Sequence, residues 1–262
     1  MKIKHLDACV RKSVSLANGS TNLTAVTAAV LAGGLGTRLR PVVADRPKVL
    51  AEVRGRPFLA YLLDQLTAAG VGDIVLCTGY LGHQLEAAFH QSYRGASLRY
   101  CREPLPLGTA GALRMALPML RSDPVLVMNG DSFCHADLND LYRWHHARKA
   151  RATLLVTEVS DTRRYGRVHV DAHQRVRRFE EKGEMPGPGW INTGIYLLTQ
   201  EVLRAIPTDA AVSLEREVLP VWIDRGLYAY PGDGVFLDIG TPEAYARAGQ
   251  FFSAGTAGQR ES

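Results

Sequence analysis

Apolar residues fall in short runs separated by amphipathic stretches. "AVTAAVLA" (25–32), "DIVLCTG" (73–79) and "PVLVMNGDS" (124–132) are apolar for most of their length and stop at glycine or at Asn-Gly-Asp. Runs this short, apolar at both alternating sets of positions, read as strands covered on both faces of a sheet. "SLRYC" (97–101) reads as a further strand. Between the strands the period lengthens. Phe58, Leu59, Leu62, Leu63 and Leu66 recur at helical spacing in "PFLAYLLDQLTAAG", which Gly70 stops. Leu81, Leu85 and Phe89 mark a short helix. "TAGALRMALPML" sets Ala112, Leu113, Ala116 and Leu120 on one face, and Pro118 must kink this helix or end it early. "LNDLYRWHHARK" predicts the next helix. The second half is richer in strands, at "ATLLVTEV", "GRVHV", "RVRRFEEK" and "INTGIYLLT", with helices expected at 213–225 and 242–252. Strands alternating with helices predict an α/β fold with a mostly parallel sheet covered on both faces. No internal repeat or low-complexity linker divides the chain, and "EMPGPG" (184–189) reads as a local loop.

Composition narrows the partners. The chain has 262 residues, enough for a sizeable core, and 46% are hydrophobic. The 31 Lys and Arg against 26 Asp and Glu leave a net charge of +5. That surplus suits anionic small molecules and is too diffuse for nucleic acid. Arg163, Arg164, Arg167, Arg175, Arg177 and Arg178 form the densest basic stretch. They alternate with apolar residues and are expected to be a solvated sheet face answered by Glu180, Glu181 and Glu184. No apolar run is long enough to span a membrane. Cys9, Cys77, Cys101 and Cys134 lack any CxxC or CxxH spacing, so zinc is not expected. Cys77 and Cys101 read as reduced core thiols, which points to the cytoplasm. His145 and His146 are adjacent on a helix and cannot share a face, so no metal role is expected of them. Residues 1–24 carry Lys2, Lys4, Arg11 and Lys12 but no apolar signal core, and read as a flexible N-terminal extension.

"LAGGLGTRLRP" (31–41) follows the first strand. Its Gly33, Gly34 and Gly36 are not followed by the Gly-Lys-Ser/Thr of a Walker A loop. A dinucleotide fingerprint fails too, because Leu39 stands where the third glycine belongs. What the segment does provide is backbone able to wrap a phosphate chain, with Arg38 to fork across phosphate oxygens and Lys48 in "RPKVL" as a point charge. That much positive charge suits a whole triphosphate. "MNGDS" sets Asp131 at the carboxyl end of an apolar strand, where open α/β sheets bind ligands, and a carboxylate there suits Mg²⁺. "FLDIGTPEAY" sets Asp238 after another apolar strand, with Pro242 opening a helix.

Taken together, "LAGGLGTRLRP" and "DRPKVL" resemble the signature of sugar-phosphate nucleotidylyltransferases, and further motifs follow in the order seen in that family over residues 25–250. The resemblance implies a Rossmann-like three-layer αβα sandwich with a mostly parallel central sheet. It also implies a single nucleotidyltransferase domain at 25–252, with a polar tail at 253–262. The implied reaction joins an NTP and a sugar 1-phosphate, giving an NDP-sugar and pyrophosphate. By the same resemblance Asp131 and Asp238 bind Mg²⁺ together, and Arg38, Lys48, Asp131 and Asp238 form the catalytic set. Leu31, Ala32, Gly33, Gly34, Gly36 and Thr37, with Glu103, Gly108 and Thr109 of "EPLPLGTAGAL", frame the nucleotide. A Glu103 carboxylate could accept the paired N–H groups of guanine, and a solvated loop acid is the alternative. Tyr165, Gly166, Glu181, Lys182, Asn192 and Thr193 form the acceptor side. There the Glu takes sugar hydroxyls and the Lys the sugar phosphate.

Within the family, "PLGTAGAL" looks most like guanylyltransferases, which makes GTP the expected donor. That segment, "VSLEREVLP" and the compact length resemble members acting on D-glycero-α-D-manno-heptose 1-phosphate. Mannose 1-phosphate guanylyltransferases come next, then thymidylyl- and uridylyltransferases for glucose 1-phosphate. An acceptor phosphate is already ionised at pH 7, so the attack needs no general base. A catalytically silent nucleotide-binding subunit is a different class, but it should have lost Arg38, Lys48 or one of the acids. The sequence leaves a homo-oligomer open.

Overall fold

The computed structural model describes residues 23–39, 41–180, 182, 187–208 and 210–257, the last four without their side chains. Residues 1–22, Arg40, Glu181, Glu184 and the tail from 258 onward, all of which carried expectations, lie outside the described residues.

The strands in chain order are β1 (Thr27–Leu31), β2 (Glu52–Val53), β3 (Arg56–Pro57), β4 (Asp73–Thr78), β5 (Ser92–Tyr93), β6 (Ala96–Arg102) and β7 (Val125–Asn129). They continue as β8 (Ser132–Cys134), β9 (Ala152–Val159), β10 (Arg167–Val170), β11 (Val176–Glu180), β12 (Gly189–Leu198), β13 (Leu227–Gly232) and β14 (Phe236–Asp238). The helices are α1 (Phe58–Ala68), α2 (Gly82–Phe89), α3 (Gly108–Ala116), α4 (Leu138–Ala147), α5 (Gln200–Arg204) and α6 (Pro242–Ala257).

Eight strands form one sheet in the order β13-β9-β12-β7-β1-β4-β6-β5. The pairings β13–β9, β7–β1, β1–β4 and β4–β6 are parallel, while β12 runs against both β9 and β7, and β5 against β6. The sheet is therefore mostly parallel in direction. Successive residues of the central strands serve different layers. Ala28, Val30, Leu126 and Met128 pack with α1, α2, α4 and α6 on one face. Ala29, Val75, Val125 and Val127 pack with α3 and α5 on the other. This is why those strands read as unbroken apolar runs rather than alternating ones. The three-layer αβα expectation holds.

Several boundaries differ from the sequence reading. Leu23 is fully buried in the core, and its N–H donates to Asn139 Oδ1 at 3.2 Å, so the packed body takes in a residue ahead of position 25. Helix α3 ends at Ala116, and Pro118 sits in a separate 3-10 turn (Leu117–Met119). The helix expected at 213–225 is instead one π turn (Leu214–Val218) followed by a 3-10 turn (Leu219–Trp222), because Pro220 cannot supply the N–H that would carry a helix onward. Strand β13 was not foreseen. Its Leu227 and Ala229 are buried, but Pro231 and Gly232 mask the strand signal. Among the described residues the arginine stretch is a paired surface: Arg178 meets the expected Glu180, Arg163 pairs with Asp161, and Arg177 with Asp171 and Asp224.

Two buttresses hold the active end of the sheet. Strand β14 pairs antiparallel with β8, setting Asp238 opposite Ser132. Helix α6 then leaves from Pro242 and packs Phe252 onto the body, stacked on Tyr61 with ring centroids 3.8 Å apart and edge-on to Phe133 at 5.1 Å. Phe252→Ala should cost about 2–3 kcal/mol, below the range for a fully enclosed phenylalanine because this ring is half-buried. Thermal or urea unfolding checks this, and a loss under 0.5 kcal/mol would show that α6 is not anchored there.

Candidate active site

In this strand order β1 has β4 on one side and β7 on the other, so the chains leaving the carboxyl ends of β1 and β7 diverge. A crevice opens at such a point. Gly130 N–H closes its base by donating to Leu31 O at 2.9 Å. Past β1 run Ala32 to Thr37, and past β7 comes Asp131.

The loop after β1 is shaped by what lies against it. A Cβ on Gly33 would stand 2.2 Å from Glu103 Oε1, and one on Gly79 would stand 2.9 Å from the same atom. The Glu103 carboxylate is thus laid over two bare backbones. Its other oxygen accepts the Leu107 N–H at 2.9 Å. Burial raises the Glu103 pKa, opposed by that hydrogen bond. Gly36 has φ +60°, a left-handed conformation that glycine adopts without strain, and it lies against Lys48 Cβ. No protein atom lies within 4 Å of a Cβ built on Gly34, so its smallness leaves room for a ligand.

These residues line two adjoining cavities. One, of about 560 Å³, lies between Gly33, Gly79, Tyr80, Glu103 and Leu105. The second, of about 280 Å³, is walled by Leu31, Ala32, Gly34, Lys48, Thr109 and Asp131, with Gly108 and Asn129 also on its lining. Thr37 lies beyond it, in the turn that brings Arg38 round. Beyond Asp131 a third cavity, of about 190 Å³, holds Arg38, Asp131, Asp238, Lys182, Tyr165 and Asn192. A fourth, of about 140 Å³, continues past Tyr165, Gly166, Lys182 and Asn192. All the described predicted residues except Gly36 and Thr37 line these cavities, with Asp131 shared by the second and third.

At its centre Lys48 Nζ pairs with Asp131 Oδ2. Asp238 reaches the same place because β14 pairs with β8 and Ile239 N–H donates to Asp131 O at 3.0 Å. A Cβ on Gly240 would meet Asp238 Oδ1 at 2.7 Å and Arg38 Nη2 at 3.3 Å, which sets Arg38 beside the second acid. Asp238 Oδ1 accepts the Gly240 N–H at 2.5 Å. Burial raises the Asp238 pKa and the Asp131 charge adds to the rise, against the opposing effects of that bond, Lys48 and Arg38. A carboxylate whose ionisation is opposed by burial and by a neighbouring acid suits a divalent cation. Among the described residues no cluster of three or more His, Cys, Asp or Glu joins the two acids.

Some predicted residues serve the walls. Thr109 Oγ1 donates to Glu215 Oε2 at 2.9 Å and accepts the Leu214 N–H at 2.7 Å. Thr193 is 1% exposed, its hydroxyl turned to Leu155 O at 2.9 Å while its carbonyl accepts Ser132 Oγ at 2.9 Å. Asn192 Nδ2 donates to Tyr196 OH at 2.8 Å. Glu215, on the lining of the fourth cavity, was not singled out from the sequence. Its only signal was its place in "VSLEREVLP". His145 is buried, with Nδ1 2.8 Å from Thr153 Oγ1, and burial lowers its pKa to about 3. The three described cysteines are free and buried.

The fold and this groove define a nucleotidyl-transfer protein, and comparison agrees: the chain belongs to the nucleotidyl transferase family, whose profile matches residues 27–255. It is 39% identical over 226 residues to a mannose-1-phosphate guanylyltransferase of Mycobacterium tuberculosis, a match covering 85% of this chain and 63% of that protein. It is 34% identical over 222 residues to the D-glycero-alpha-D-manno-heptose 1-phosphate guanylyltransferase of Aneurinibacillus thermoaerophilus, covering 84% and 96%. Among solved structures it resembles HddC from Yersinia pseudotuberculosis complexed with GMP-PN, with TM-score 0.77, 31% identity, and 87% and 99% of the two chains covered. The chain thus spans under two thirds of its mannose-type relative. No helix of the described residues is long and apolar enough to cross a membrane.

An acid with a raised folded pKa holds its proton more tightly in the folded chain than in the unfolded one. Stability therefore falls as pH rises from the ordinary Asp value through the folded value. In ligand-free, chelator-treated protein, Asp238→Asn should be more stable than the parent at pH 7. The difference should fade as pH drops below about 3.8. Urea unfolding across pH checks this; a variant less stable at pH 7 would show that the carboxylate's attractions to Arg38 and Lys48 outweigh its burial.

Proposed function

We propose that this protein joins GTP to a sugar 1-phosphate, D-glycero-α-D-manno-heptose 1-phosphate by preference, giving a GDP-sugar and pyrophosphate. The observation that carries the reading is a pair of cavities that share Asn129 and Asp131: the glycine loop and Lys48 line one, and Arg38, Asp238, Lys182, Tyr165 and Asn192 line the other. Two anionic substrates approaching from opposite ends would meet at that centre.

The chemistry asked of the protein is alignment and charge stabilisation. The sugar phosphate arrives ionised and attacks the α-phosphorus in line, so no proton needs removing. Arg38 spreads its guanidinium over the α-phosphoryl group and the departing pyrophosphate. Lys48 leaves its carboxylate partner to hold phosphate, and Lys182 holds the acceptor phosphate. Asp131 and Asp238 would hold Mg²⁺, whose role when bound is to neutralise phosphate charge. Glu103, with one oxygen tied to Leu107, keeps its other for an N–H of guanine. Glu181, beyond the described residues, is assigned to the sugar hydroxyls. GTP is supported by the guanylyltransferase relatives. The heptose acceptor rests on the heptose-type relatives and the "VSLEREVLP" resemblance. Mannose 1-phosphate is the second reading, favoured by the 39% identity to the mycobacterial protein. Such a reaction draws on cytoplasmic substrates, and a cytoplasmic location goes with this proposal.

Pyrophosphate release across GTP, ATP, UTP and dTTP with heptose, mannose and glucose 1-phosphates tests it. The expected optimum is GTP with the heptose phosphate. A mannose optimum selects the second reading, and no release with any pair overturns both. Asp131→Ala and Asp238→Ala should each abolish turnover, and Arg38→Ala should lower kcat about 10²–10³-fold. Near-parental rates would remove those residues from the mechanism. Glu103→Gln should erode the preference for GTP over UTP and dTTP, and an unchanged ratio would exclude a base-reading role.

A further inference from the structure

Glu215 lines the fourth cavity and bonds side chains of α3 and β12 at once. It lies on the π turn Leu214–Val218, which Val218 N–H closes on Ser213 O at 3.3 Å. Such turns are rare and concentrate at functional sites. Its two carboxylate oxygens take hydroxyls from opposite sides. Oε2 accepts Thr109 Oγ1 at 2.9 Å, at the start of α3 on the nucleotide side. Oε1 accepts Tyr196 OH at 3.0 Å, from β12 on the acceptor side.

Both ends are secured further. On the nucleotide side the backbone is zipped: Val212 N–H donates to Leu107 O at 2.8 Å, and Ala110 N–H to Val212 O at 2.9 Å. On the acceptor side the Tyr196 ring is fully buried. Its hydroxyl receives Asn192 Nδ2 at 2.8 Å, and Asn192 Oδ1 in turn accepts the Gly194 N–H at 3.0 Å. The Asn129 side chain lies against the same turn, its Nδ2 2.8 Å from where a Cβ on Gly194 would stand. Asn129 lines both the nucleotide cavity and the central one. Burial, and then the nearby carboxylate, hold the Tyr196 pKa well up, so the phenol stays a donor to Glu215.

We propose that Glu215 is a positioning residue that ties the Gly108–Thr109 turn to the Asn192–Gly194 turn, so that the nucleotide wall and the sugar-phosphate wall are set as one unit. This rests on the assignment of the two ends of the groove to NTP and sugar 1-phosphate. Its consequence is coupling: disturbing one end is felt by the substrate bound at the other. A carboxylate serving only as a sugar contact, or only as filler, would transmit nothing from Thr109.

Thr109→Val and Tyr196→Phe each delete one hydroxyl at nearly constant shape, and Thr109→Ser restores one. In the full-length protein Thr109→Val should raise KM for the sugar 1-phosphate as well as for GTP, about tenfold for each, with a smaller change in kcat. Tyr196→Phe should do the same, although Tyr196 does not line the nucleotide cavity. Thr109→Ser should return both constants to near parental values. With Glu215→Ala present, the further effect of either deletion should nearly vanish. The proposal fails if Thr109→Val moves only the GTP constant and Tyr196→Phe only the sugar constant, or if their effects persist unchanged beside Glu215→Ala. Hydrogen exchange on ligand-free Glu215→Gln decides the bridge independently of any substrate. Protection should fall in both 107–112 and 192–197. A change confined to 213–218 overturns the bridge, even if no NTP and sugar 1-phosphate pair proves to be turned over.

Discussion

The site depends on one constraint, the parallel pairing of β1 with both β4 and β7. The chain leaving β1 goes on to β4 on one side, and the chain leaving β7 goes on to the β12–β9 side of the sheet. A crevice then opens at the carboxyl ends of β1 and β7 without any side chain being spent on making it. The glycine loop and Asp131 occupy that crevice because they are the residues that happen next along the chain. The apolar strands serve chiefly to hold this opening at a fixed width.

Chain return completes what the strand order begins. Asp238 is far from Asp131 in sequence, and a two-residue error in the last part of the chain would bring a different side chain to the centre. The β8–β14 pair removes that freedom by setting Asp238 opposite Ser132, and α6 holds the pair from behind through Phe252. The electrostatic outcome is a crowded pair of acids with Lys48 and Arg38 close by. It is a charge arrangement prepared for phosphates and a cation and uncomfortable without them.

Most of the donor half could be read from residue order alone. Glycines, Arg38, Lys48 and an acid at a strand end are local signals, and the strands that carry them are buried on both faces and so unmistakably apolar. The acceptor half was less legible. Asn192 and Thr193 sit in a recognisable segment, yet the structure turns Thr193 inward to Leu155 and uses Asn192 to hold Tyr196. Glu215 gave no pattern of its own, because its importance comes from two hydroxyls distant in sequence. The 213–225 segment misled for a related reason. Leu214, Val218, Leu219 and Trp222 are spaced as on a helix, but they bury a π turn and a 3-10 turn in succession. Strand β13 was hidden by the Pro and Gly at its end, which the sheet tolerates because that strand lies at the edge.

The Glu103 carboxylate lying across Gly33 and Gly79 makes the loop after β1 and the segment after β6 depend on each other. The first glycine of the loop after β1 is bare where an acid just past the end of β6 lies against it. A methyl group at position 33 would push that acid aside before it touched any ligand. Gly33 and Glu103 are therefore one steric unit: a larger residue at position 33 acts on the cavity through the displaced acid as well as through its own bulk.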